Sequence, residues 1–421
     1  MRRSSSRSRS RYRPQSLALA LAPALAALTA ATVALGAVAP AAQAAGSGKA
    51  REGLNRTALR EAIAIRPGGG VADVVARVSK DGESWRGTSG DAVTGKRVKD
   101  DAHFRIGSIA KTFEAVVLLQ LSAEGKVDLD ETVQHYLPGL LPDSYDPVTV
   151  RQLLNHTSGL PQDFEGAPAP APGETVDKRH DYYTFDQVIE QTLRPEGRPA
   201  PTPHFKPGTK QEYNSFAYRV AGKLIEEITG HSLKREFTTR ILKPLKMRHT
   251  SAPGRDVRLP RPYLPGYAPD GRGELVDVNE QGGNPSSMIS TTADLDRFVT
   301  GLFNGRLLRP AQAAELRTLP RDADGKLLPY TNNANCNMGP DKGSACYSVG
   351  LMSFPLPNGK VLWGKTGSDP GYTSGVFATP DLKWRGIYAG GTAAADNSAA
   401  SATGIRIALA AFAGPAPAKK P

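Results

Sequence analysis

Apolar and polar positions alternate in three different rhythms along the chain. From residue 71 to 88 the apolar residues come in short runs, Val71-Ala72-Asp73-Val74-Val75-Ala76-Arg77-Val78 and then Trp85 to Thr88, separated by Lys80-Asp81-Gly82. Short β-branched runs around a glycine-containing turn predict paired strands. From Ile109 to Ala123 the period becomes helical. Ile109, Phe113, Val116, Val117, Gln120 and Leu121 recur on one face, and Gly125 supplies the stop. Residues 126–300 read as mostly helical with long loops, most clearly at 217–229 (stopped by Gly230) and at 293–302. The proline-rich stretches 167–172 and 198–203 predict extended surface loops. Strand patterns return at 360–363, 375–378 and 385–388, followed by a helix at about 399–412 and a loose tail at 414–421. Strands at both ends of a helical middle predict an α+β body. Its first part covers 45–125 and its remainder 301–413, with a helical domain inserted over 126–300.

The first 44 residues fall outside that pattern. Arg2, Arg3, Arg7, Arg9, Arg11 and Arg13 precede an Ala/Leu/Val run from Leu17 to Ala42, which ends in Ala42-Gln43-Ala44. A basic start, an apolar middle and a small-residue exit describe an export signal cleaved near Ala44, so a secreted protein is expected. The run is also long enough to span a bilayer, but Pro23 and Pro40 weigh against a retained anchor. Removing those six arginines, with no acid among them, takes the formal net charge from +12 to +6. The remaining excess is spread along the chain, unlike the basic blocks of a nucleic-acid binder. Cys336 and Cys346 are the only cysteines. In an exported chain they suggest one disulfide closing a local loop, with two free thiols as the alternative.

Three short motifs carry candidate chemistry. In Ser108-Ile109-Ala110-Lys111 the serine and lysine stand three apart, on one side of a helix start. A serine hydroxyl needs a base to become a nucleophile, and a lysine can serve if burial lowers its pKa. Lys365-Thr366-Gly367 follows the apolar run Val361-Leu362-Trp363-Gly364, placing a cation and a hydroxyl on a strand edge where a substrate carboxylate could bind. Tyr213, just before the 217–229 helix, would have its phenol pKa lowered if two lysines came near it, which suits a proton relay. Residues 359–366 also satisfy the spacing of a phosphate-binding loop. The four residues between the glycines read as a strand, however, and Gly367-Ser368-Asp369-Pro370-Gly371 cannot open the helix such a loop requires. The chain contains no Gly-x-Ser-x-Gly elbow and no His-Glu-x-x-His pair, which argues against an α/β-hydrolase and a zinc enzyme.

Taken in order, these motifs resemble the serine β-lactamase and penicillin-binding family, most of all the class C β-lactamases and the secreted D-alanyl-D-alanine carboxypeptidases of actinomycetes. The resemblance rests on residues 104–113, 118–121, 124–130 and 136–138, on Leu153-Leu154-Asn155-His156-Thr157-Ser158-Gly159-Leu160, and on 207–209, 289–295 and 364–367. It covers about residues 70–412 and implies an antiparallel sheet flanked by helices and completed by both termini. It implies that Ser108 is acylated, Lys111 assists its deprotonation, Tyr213 relays protons, and Lys365 and Thr366 bind a substrate carboxylate. The oxyanion hole would be the backbone N–H groups of Ser108 and Ser368. His156 looks like a family landmark with a structural role. Such a mechanism needs no metal or cofactor.

Two positions depart from the family pattern. Ser215 stands where an asparagine usually binds the substrate's amide, with Asn214 one place earlier; Met352 stands where the carboxypeptidases have an arginine for the terminal carboxylate. The resemblance therefore implies a serine hydrolase working through an acyl-enzyme, foremost a D-alanyl-D-alanine carboxypeptidase on cell-wall peptides with β-lactams as mimics. A class C-like β-lactamase, an esterase, a hydrolase of D-amino-acid peptides, and a weakened relative that only binds remain as alternatives.

Overall fold

The computed structural model describes residues 53–66, 70–90, 93–331, 336–392 and 398–412. The expected export signal (1–44) and tail (414–421) lie outside the described residues.

The centre is a six-stranded sheet. In spatial order its strands are Glu83–Ser89, Val71–Lys80, Trp384–Thr392, Tyr372–Ala378, Val361–Asp369 and Met352–Pro355, and every neighbouring pair is antiparallel. The first hairpin turns at Asp81 and Gly82, both in the left-handed region (φ 50° and 90°), which matches the twist of the strands they join. The early strands lie beside the late ones, as the two-ended pattern predicted.

Helices cover both faces of this sheet. Arg56–Ala62 and Ser398–Phe412 lie on one face, where Leu59, Val74, Val78, Leu362 and Phe412 share a core. Ala110–Ala123 and Thr292–Phe303 lie on the other, where Phe113 stacks on Phe298 with ring centroids 3.8 Å apart, in one core with Val75, Val376 and Ile387. Val74, Ala76 and Val78 serve one core and Val75 the other, the period-two signature of a strand buried on both faces. That double burial explains why apolar residues at 71–78 fall on successive positions, as at Val74-Val75-Ala76, rather than on alternate ones.

The structure corrects three boundaries. The helix Thr292–Phe303 packs on the sheet strands and belongs to the α/β body, so a division at 300 cuts through it. Lys365, Thr366 and Gly367 lie inside the strand Val361–Asp369 rather than after it. Ser108 sits on a 3₁₀ turn, Gly107–Ile109, and the α-helix begins at Ala110. The short edge strand Met352–Pro355 has no clear alternation and went unread.

Candidate active site

The turn that carries Ser108 is wedged against the sheet by two glycines. Gly107 has φ +48° and lies directly on the backbone of Ser368, while a Cβ at Gly367 would collide with the carbonyl oxygen of Ile106. Only residues without side chains allow this approach. Pairing with the Met352–Pro355 strand stops at Gly364, so Lys365–Asp369 forms the sheet edge that borders Ser108. The Ser374 hydroxyl donates to the Ile106 carbonyl at 3.1 Å and fixes the turn further.

At this junction Lys111 Nζ donates to Ser108 Oγ at 3.2 Å, and the Tyr213 hydroxyl donates to the same oxygen at 2.7 Å. The Tyr213 ring lies between two ammonium groups, with its centroid 5.4 Å from Lys111 Nζ and 4.7 Å from Lys365 Nζ. Burial would push the phenol up, but the two cations and the bond to Ser108 outweigh it and hold Tyr213 at about 7. The same burial pushes the Lys365 ammonium down, opposed by Tyr213. Lys365 Nζ also donates to the Thr366 carbonyl at 2.8 Å. Thus Ser108, Lys111, Tyr213 and Lys365 meet at one point, as the motifs suggested, and Thr366 and Ser368 follow along the strand edge.

Tyr213 is held by residues the motifs did not single out. Its backbone N–H donates to the Tyr330 hydroxyl at 3.2 Å, and its carbonyl accepts from Gln162 Nε2 at 2.9 Å. Gln211 is fully buried. Its Nε2 donates to the carbonyls of Asn155 (2.7 Å) and Tyr347 (2.8 Å), and its Oε1 accepts from the backbone of Cys346 and Tyr347. This side chain ties three loops together below the tyrosine. No sequence signal marks it, because one glutamine among loop residues has no periodicity. His156, at φ +62°, accepts from the Asn214 N–H through Nδ1 (3.1 Å), and its ring lies 4.6 Å from that of Tyr213. Burial first, then Lys365 and Lys111, keeps this imidazole well below its ordinary pKa, so it is neutral.

The two departures have clear local consequences. Asn214 is buried and fully engaged: Nδ2 donates to the carbonyls of Leu160 (2.6 Å) and Pro161 (2.9 Å), and Oδ1 accepts from Ala217 N–H at 2.7 Å. It cannot take over amide recognition from Ser215, which is half-buried at the start of Phe216–Thr229. Among the described residues, no hydrogen bond ties the Ser215 side chain to the Ser108 group. Met352 packs against the Tyr330–Tyr347 cluster, next to the Cys336–Cys346 disulfide, which closes a local loop with a Cα–Cα distance of 5.3 Å. The phosphate-loop spacing at 359–366 falls in a turn and a strand.

The β-lactamase family model matches residues 57–411. The chain belongs to that family. Among solved structures, a D-stereospecific amidohydrolase from Streptomyces sp. is 30% identical with a TM-score of 0.71, covering 86% of this chain and 100% of that one. A D-amino acid amidase from Ochrobactrum anthropi SV3 is 25% identical with a TM-score of 0.67, covering 84% and 97%. Among curated relatives, esterase EstB of Burkholderia gladioli is 34% identical over 41% of this chain and 45% of its own length. Protein flp of Staphylococcus aureus (strain MW2) is 27% identical over 48% of this chain and 39% of its own. The chain thus matches less than half the length of these curated relatives. It has the β-lactamase/transpeptidase-like fold.

Proposed function

We propose that Ser108 forms an acyl-enzyme, with a D-configured amino acid on the acyl side of the bond it cleaves. The observation that carries the acyl-enzyme is the pair of contacts on Ser108 Oγ, from Lys111 at 3.2 Å and from Tyr213 at 2.7 Å. In this mechanism the Tyr213 phenolate, stabilised by Lys111 and Lys365, takes the Ser108 proton as Oγ bonds to the substrate carbonyl carbon. The oxyanion rests on the backbone N–H groups of Ser108 and Ser368. Tyr213 then returns the proton to the leaving amine as the C–N bond breaks. Water repeats the sequence on the ester and frees Ser108. The likeness to the two D-amino-acid amidohydrolases supports the D-configuration.

The narrower reading, a D-alanyl-D-alanine carboxypeptidase, draws support from Lys365 and Thr366 on an open sheet edge. Met352 and the engaged Asn214 remove two of its usual substrate contacts. The two readings separate when the protein is mixed with a fluorescent penicillin and, in parallel, with D- and L-phenylalanine amide, each beside Ser108→Ala. Penicillin label that needs Ser108 and persists favours the carboxypeptidase, and label that is quickly lost favours a β-lactamase. Hydrolysis of the D-amide, weak on the L-amide and absent in Ser108→Ala, is the expected result. Equal rates on both amides overturn the D-configured assignment. Activity that survives in Ser108→Ala overturns the acyl-enzyme. Export belongs to the same proposal, and N-terminal sequencing of protein recovered from the medium tests cleavage near Ala44.

A further inference from the structure

One buried ionisable group close to Ser108 has no part in the scheme above. Glu114 lies on the nucleophile helix, three residues beyond Lys111 and so on the same side of it. It is completely buried, and the one polar side chain within reach of its carboxylate is the neutral Ser286 hydroxyl, so no cation pairs with it directly among the described residues. A buried carboxyl group in that state is costly unless a nearby charge offsets it.

The groups that bear on Glu114 come from every element around it. They are Lys111 on its own helix, Arg219 and Tyr218 on the helix Phe216–Thr229, and Ser286 in the segment before the short strand Ile289–Ser290. Ser286 Oγ is itself buried and faces the Glu114 carboxylate. Arg219 is already committed, with Nη2 3.1 Å from Asp163 and Nη1 donating to Asn284 at 3.0 Å. Lys111 is buried and has no carboxylate hydrogen-bonded to it among the described residues; its Nζ lies 5.7 Å from the Tyr218 ring centroid. Burial raises the Glu114 carboxyl to about 7, against the pull of Ser286, Lys111 and Arg219. Asp369 also feels Lys111 and Arg219, but it has its own buried partner in Arg105 and receives the Gly107 N–H.

We propose that Glu114 is a positioning residue, the buried counter-charge of the Ser108–Lys111–Tyr213 group, which shares with Tyr213 the task of balancing the Lys111 ammonium. This inference rests on the assignment of Ser108 as nucleophile only for its kinetic consequence. Its electrostatic consequence is independent of that assignment. Glu114 itself ionises at about 7, so as pH rises through that range its charge comes to share Lys111 with the phenol; removing it leaves Tyr213 to balance Lys111 alone, and the phenol ionises at lower pH.

The test is the ultraviolet tyrosinate titration of the full protein, with the Tyr213 signal isolated by difference from Tyr213→Phe, in the parent, Glu114→Gln and Glu114→Asp. In Glu114→Gln the Tyr213 midpoint falls by about one pH unit, the order of a unit charge acting through a protein interior. Glu114→Asp restores it toward the parent. The acid limb of Ser108 labelling by a fluorescent fluorophosphonate, a probe indifferent to the natural substrate, moves down by a similar amount. An unchanged or raised midpoint in a folded Glu114→Gln overturns the proposal, whatever happens to labelling or thermal stability. A shifted midpoint without any Ser108-dependent labelling upholds the counter-charge and overturns the acyl-enzyme.

Discussion

Two acid–base clusters meet at one peptide bond and behave in opposite ways. Tyr213 belongs to the Ser108 group, while Glu212, its neighbour in sequence, belongs to a partly exposed rim formed with Glu165 and His204. There His204 Nε2 lies 2.7 Å from Glu165 Oε2 and His204 Nδ1 lies 3.1 Å from Glu212 Oε2. On the rim the hydrogen bond to Glu212 comes first among the causes that lift His204 to about 9, so at neutral pH its charge is fixed. Beside Ser108, no carboxylate hydrogen-bonds to Lys111, Lys365 or Tyr213 among the described residues, and the group lying against both lysines is a phenol. A phenol is a much weaker acid than a carboxyl group, so the same two cations bring it only to about 7. The rim uses carboxylates to hold a loop. The centre leaves its proton free to move.

Replacing the phenol should break this contrast most severely. Tyr213→Phe is expected to keep the fold and lower Ser108 acylation by about 10²–10⁴-fold, the usual contribution of a positioned acid–base group. Stopped-flow labelling together with circular dichroism checks this, and parental rates in the variant would refute the relay. In the parent, acylation should rise as pH rises through about 7, when the phenolate forms. A smaller loss is expected on crowding the junction. Gly367→Ala pushes Ile106 and the nucleophile turn away from the strand edge. We expect a fall of about 10²–10³-fold in acylation and about 1–3 kcal/mol in stability, read by labelling and urea unfolding. The mildest change is His204→Gln. Acylation should stay within a few-fold, while stability at neutral pH drops by about 1 kcal/mol after allowance for solvent screening at this exposed residue. The sign is diagnostic. A raised imidazole stabilises the fold fully below its ordinary pKa and ceases to do so as pH rises through about 9, so parent and variant should converge there. Tyr213 has the opposite sign, its depressed phenol contributing most at high pH and losing that contribution as pH falls through about 7.

The centre was more legible in sequence than its supports. Ser108 and Lys111 could be paired because helical spacing brings residues three apart together, and Lys365 and Thr366 because an apolar strand leads to them. Tyr213 needed the family resemblance, since nothing local says which side chains face it. His156 likewise entered through the resemblance, as a structural residue, whereas Gln211 and Glu114 were beyond reach, as their roles depend on partners from distant segments. Asn214 shows how proximity in sequence misleads: one residue from the expected place, it points into the Leu160–Pro161 loop and caps the next helix. In the fold, Val71–Lys80 was legible as a strand from its short apolar runs but not as one buried on both faces, and Thr292–Phe303 gave no hint that its apolar side belongs to the sheet.

The pairing of Val71–Lys80 with Trp384–Thr392 has a temporal side. One wall of the cleft, with Ser108, is written early in the chain. The other, with Lys365, is written late, and it stands only when the strands that follow it have docked. Pairings across such sequence distances form slowly. A chain whose late strands have not docked lacks the second ammonium beside Tyr213. Under the acyl-enzyme mechanism proposed above, proteolytic loss of the last strands should therefore abolish Ser108 acylation.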